Sequence, residues 1–137
     1  MQSHNQKTIK ETINLRGVGL HNGIVSNLKI IPADENFGIK FCRSDINKKN
    51  LIDANYQNVV EPILCTKIKN ENGATVSTVE HLMAAFFGEG VDNALVEIDS
   101  SEIPILDGSA NDFVEAIKSV GIKEQKELRN YIKVLKK

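Results

Sequence analysis

The chain has 137 residues, of which 41% are hydrophobic and 26% charged, a balance that suits one soluble domain with a real core. Seventeen basic side chains stand against 18 acidic ones, and the formal charge is −1. No global basic field is therefore available to recruit nucleic acid or an anionic membrane surface.

In chain order, residues 8–15 alternate in polarity and predict a strand. Asn22-Gly23 is a hairpin turn signal, and residues 25–31 form the strand after it, ended by Pro32. Residues 38–42 alternate again, 45–50 read as a polar loop, and 51–60 hold room for a short strand. Residues 65–69 and 75–77 flank Glu71-Asn72-Gly73, a second hairpin signal. A first helix is predicted from about residue 78 to residue 87, closed by Gly88. Residues 94–98 read as a strand, and 102–106 as an extended segment under Pro104. Asp107-Gly108-Ser109 turns into a second helix with the apolar stripe Ala110, Phe113, Val114, Ile117 and Val120, closed by Gly121. Residues 131–135 alternate as a last strand or the start of a connection. The order predicts an α+β fold: a single domain with a mixed or antiparallel sheet and two main helices packed on one face.

The two cysteines, Cys42 and Cys65, form no Cys-x-x-Cys pair, which argues against a disulfide scaffold and fits a reducing compartment. No apolar run approaches the roughly 20 residues of a membrane span, and the N-terminus lacks a signal-peptide core. The expected location is cytoplasmic. Residues 123–137 are locally basic but contain Glu124 and Glu127, and read as a solvated surface.

The chemistry concentrates in Ser77-Thr78-Val79-Glu80-His81-Leu82-Met83-Ala84-Ala85-Phe86. An imidazole there can bind a metal, and a neighbouring carboxylate can take a proton from water. The same residues also fit a plain capping box, in which Glu80 reaches back to the Ser77 backbone and His81 is an ordinary half-buried helix residue. No second histidine follows one turn later, so a His-Glu-x-x-His site is excluded. In Gly17-Val18-Gly19-Leu20-His21-Asn22-Gly23 the first two glycines allow either close approach of a ligand or a bulge beside the turn. Asp107 is a turn or cap residue, or alternatively a partner that orients a metal-bound histidine. Cys65 reads as a small core residue. His4 lies in a polar tail.

Five segments in order resemble the UDP-3-O-acyl-N-acetylglucosamine deacetylases. They are the 17–23 run, Leu64-Cys65-Thr66, the 77–85 run, Gly90-Val91-Asp92-Asn93-Ala94, and Glu102-Ile103-Pro104-Ile105-Leu106-Asp107-Gly108-Ser109-Ala110. The resemblance covers roughly residues 8–125. It implies a zinc-dependent amidase of lipid A biosynthesis that removes the N-acetyl group from a UDP-linked, 3-O-acylated glucosamine. By resemblance, Glu80 is the catalytic base and His81 a zinc ligand, while Leu20, His21 and Cys65 lie near the mouth of the site.

The family's other two zinc ligands and its general acid belong to a second, C-terminal domain of similar topology. Residues 1–137 are then the N-terminal domain alone, with Zn²⁺ incompletely held and the isolated chain inactive. The expected partners are the UDP-sugar substrate and that second domain, with no nucleic acid. The alternatives are a non-catalytic module that binds a sugar nucleotide or a partner chain, and one half of a split enzyme. Removal of the second domain is also expected to leave Leu20 and Leu64 uncovered.

Overall fold

The computed structural model describes residues 4–61 and 63–136. Its centre is a five-stranded sheet built from β2 (Ile13–Val18), β3 (Val25–Pro32), β4 (Ile39–Arg43), β5 (Leu51–Asp53) and β9 (Ala94–Ile98), in the order β2-β3-β9-β4-β5. Strict alternation sets its two faces. In β3, Ser26, Leu28 and Ile30 are buried while Val25, Asn27 and Lys29 are exposed. All pairings are antiparallel except β4 with β9, which run parallel with Phe41 opposite Val96. The sheet is therefore mixed.

Two helices, α1 (Glu80–Glu89) and α2 (Asn111–Val120), pack on each other and close one core. Leu82, Ala85 and Phe86 enter it from α1, and Phe113 and Ile117 from α2, the latter two on the predicted stripe. They join Leu28, Ile30, Phe41, Val96 and Ile98 of the sheet. Each large apolar side chain buried there contributes about 1.5–3 kcal/mol. The opposite sheet face is polar, with Lys29 paired to Glu97 and Asn27 donating to Asp99.

Two smaller sheets complete the fold. β1 (Asn5–Ile9) pairs antiparallel with β10 (Ile122–Leu128). β6 (Val59–Val60), β7 (Lys67–Lys69) and β8 (Thr75–Ser77) form a three-stranded antiparallel sheet, with β7 and β8 joined by the predicted 71–73 turn. The α+β class and the single-domain architecture expected from the sequence are those found. No helix among the described residues is long and apolar enough to cross a membrane.

Several local expectations are corrected. The predicted strand over 8–15 is two strands, because Ile9 ends the pairing with β10 and Ile13 begins the pairing with β3. The first helix starts two residues later than predicted, since Thr78 has φ 57° and cannot be helical. It also ends later. Gly88 lies inside the helix, and Gly90 takes the left-handed cap with φ 72°, donating to the carbonyls of Phe86 and Phe87. Residues 131–136 form no strand. The last strand is instead β10, whose Lys-Glu-Gln-Lys-Glu interior hid it from a hydrophobic pattern.

Candidate functional site

The start of α1 is shaped by the residues just before it. Ser77 lies in β8 and does not cap the helix; its hydroxyl donates to the Ser101 carbonyl at 3.1 Å. The helix opens on Val79 with no side-chain cap. Glu80 is therefore not part of a capping box. Its Oε2 instead accepts from the Thr66 backbone N–H at 3.1 Å, while Val79 N–H donates to the Thr66 carbonyl at 3.3 Å. The carboxylate is turned toward the 64–66 segment, away from its own helix end. His81 follows, half-buried, and so does not belong to the closed core.

The 19–24 loop joins β2 to β3. Gly23 N–H donates to Gly19 O at 3.1 Å, and Gly19 N–H to Ile24 O at 3.0 Å, so the hairpin expected at Asn22-Gly23 is present with a longer loop. Of the two uses weighed from sequence for the first two glycines, the bulge is not found, because the β2–β3 register is unbroken. The protein's own 102–106 segment occupies the space beside them. A Cβ on Gly17 would lie 2.9 Å from the Pro104 side chain, and one on Gly19 would lie 2.5 Å from Glu102 Oε2 and against the Asn22 side chain. Leu20 and His21 are left at the surface, Leu20 59% exposed.

Glu102 was not singled out by the sequence reading, yet among the described residues it is the one ionisable side chain in the core, 1% exposed. Oε2 accepts from Asn22 N–H at 2.8 Å, and His21 N–H lies 3.0 Å from Oε1 and 3.1 Å from Oε2. Oε1 also accepts from the Thr78 hydroxyl at 2.8 Å. Burial pushes its pKa up, but the hydrogen bonds from Asn22, Thr78 and His21 together hold it below the ordinary carboxylate value. The signal available in sequence was a lone acid in the extended apolar run Ile103-Pro104-Ile105-Leu106, a position where a charge survives only if partnered.

Asp107 occupies the predicted turn. It is exposed and accepts from the Ser109 backbone N–H and hydroxyl, each at 2.9 Å. These bonds hold its carboxyl below the usual range, the backbone bond first, with a smaller pull from the charge of His81. Its side chain thus serves the turn and also lies within the electrostatic reach of His81. Cys65 is half-buried and lines a cavity of about 330 Å³ with His21, Ile63, Leu64, Lys67 and Ser77. That cavity brings together His21 and Cys65, which are far apart in the sequence. Leu64 beside it is 87% exposed and carries φ 61°, and Phe87 on α1 is 90% exposed.

No group of three or more His, Cys, Asp or Glu side chains able to hold a metal ion occurs among the described residues.

A sequence model of the family described as UDP-3-O-acyl N-acetylglycosamine deacetylase matches residues 6–137. A UDP-3-O-acyl-N-acetylglucosamine deacetylase from Shewanella halifaxensis is 47% identical over 131 residues, which are 96% of this chain and 43% of that protein. A protein of the same name from Pasteurella multocida is 43% identical over 132 residues, again 96% of this chain and 43% of the relative. The chain spans less than half the length of these curated relatives.

Proposed function

Since the chain belongs to the UDP-3-O-acyl N-acetylglycosamine deacetylase family, we propose that residues 1–137 are the N-terminal domain of a zinc-dependent deacetylase acting on UDP-3-O-acyl-N-acetylglucosamine in lipid A biosynthesis. Glu80 is the base and His81 one metal ligand. The observation that carries this reading is the orientation of Glu80. Its carboxylate, one residue before His81 in the chain, takes no part in helix capping and accepts from the Thr66 backbone N–H.

That bond engages Oε2 and leaves Oε1 to receive a proton from the attacking water. Zinc held in part by His81 would supply the Lewis acid that polarises the acetyl carbonyl and acidifies water. No group of three or more possible metal ligands occurs among the described residues, so the remaining ligands and the acid that protonates the leaving amine are assigned to the second domain. The cavity beside His21 and Cys65, with Lys67 at its wall, receives part of the substrate. Free Cys42 and Cys65 are suited to a reducing cytoplasm.

The test joins this chain to the C-terminal half of the Pasteurella multocida relative and measures acetate release from the UDP-sugar. Turnover is expected, and Glu80→Ala should lower it by about 10²–10⁴-fold with zinc content unchanged. A silent wild-type fusion would count against the function. Zinc loss in the Glu80→Ala protein would contradict the role given to Glu80.

A further inference from the structure

We propose that Glu102 is a positioning residue that fastens the His21 loop and the start of α1 into one rigid unit. The inference rests on the reading of Glu80 and His81 as the reacting end of the site. Those residues and His21 are supplied by segments about 60 residues apart in sequence, and no ladder of β-strand hydrogen bonds joins the 19–24 loop to α1. The carboxylate of Glu102 does join them. One oxygen reaches Thr78, two residues before Glu80, and both reach the amides of His21 and Asn22.

Three further observations show that the seat is built for an anion. The backbone of Glu102 is itself fixed, with Ser77 in a parallel bridge to it and Ile103 N–H donating to Ser77 O at 3.1 Å. Gly19 leaves the space its Oε2 occupies. Thr78, buried and β-branched, is held at φ 57°, a conformation such a residue keeps only when its surroundings impose it. All the donors are uncharged, so the negative charge is stabilised by oriented dipoles and does not depend on a surface ion pair that salt would screen. Moving this carboxylate would shift the loop and the helix start together.

The chain reports this directly. Thr66 N–H donates to Glu80 Oε2, so its amide resonance reads where the Glu80 carboxylate sits. Amide shifts and hydrogen exchange should be measured for Glu102→Gln, which keeps the shape and loses the charge, and for Thr78→Ala, which cuts only the helix-side link. In Glu102→Gln, the amides of His21, Asn22 and Thr66 should all shift and exchange at least about tenfold faster, while the β3–β9 ladder stays protected. In Thr78→Ala, Thr66 should move and His21 should not.

If His21 and Asn22 were freed in Glu102→Gln while Thr66 stayed unchanged, Glu102 would pin only the loop and the proposal would be wrong. In the fused enzyme, Glu102→Gln should lower kcat about tenfold or more and change KM less. An unchanged kcat would also overturn the proposal. A wild-type fusion without turnover would refute the deacetylase reading alone, because the amide measurements judge Glu102 independently.

Discussion

Thr78 offers a stability test in which the usual penalty of glycine against alanine disappears. Thr78→Ala removes the hydroxyl that donates to the buried Glu102 carboxylate, a bond to a charged group worth about 1.5–3 kcal/mol, and a methyl worth about 1 kcal/mol. Thr78→Gly loses the same groups and the buried Cβ, about 0.8 kcal/mol more, and gives back about 0.5–1 kcal/mol in chain entropy. Against this it relieves the left-handed backbone, which costs a residue with a Cβ about 1–2 kcal/mol. The two variants should therefore match to within about 0.8 kcal/mol. At Val76, buried in an ordinary strand, the order should be the normal one, with alanine above glycine. Urea unfolding followed by far-UV circular dichroism, compared at equal m-values, reads both pairs. If glycine fell as far below alanine at position 78 as it does at position 76, the backbone there would not be strained and the reasoning would fail.

Other outcomes follow from the same structure. Glu102 has a depressed pKa, so its contribution is complete above the ordinary glutamate value of 4.5 and is lost as pH falls through the lower folded value. The stability gap between wild type and Glu102→Gln, measured by urea unfolding, should accordingly be constant near neutrality and shrink on acidification below 4.5; a gap that widened on acidification would refute the assignment. Phe86→Ala empties a fully buried ring and should cost about 3–5 kcal/mol in the same assay, with a loss under about 1 kcal/mol contradicting its place in the core. Titrated with zinc at neutral pH, the isolated chain should show no tight stoichiometric site and release no acetate; robust turnover would mean that other groups of this chain complete the centre.

The larger elements were legible because their physics is local. The stripe of α2 and the alternation of β3 and β9 state which face is buried, and the turns at 22–23 and 71–73 carry residues suited to them. What escaped was nonlocal. A capping box between Ser77 and Glu80 is a fair reading of four residues, but Ser77 was claimed by β8 and Glu80 by Thr66, fourteen positions earlier. β10 is stabilised by β1 from the other end of the chain and shows little alternation of its own. Glu102 carries no motif around it that announces an anion seat, because its donors come from the 21–22 loop and from Thr78. The glycines of the 17–23 run were visible as places of close approach, but the identity of what approaches was not.

The pairing of β1 with β10 also bears on how the chain reaches this structure. Ile9 meets Ile122, and Arg129 N–H closes on His4 O at 2.8 Å. Such a ladder closes a loop that runs from Ile9 to Ile122, so its entropy cost must be met before the pairing yields any return. During synthesis β1 stays an unpaired edge, exposed to other nascent chains, until β10 has emerged. A chain cut short of Ile122 would hold the other sheets together with β1 unmatched.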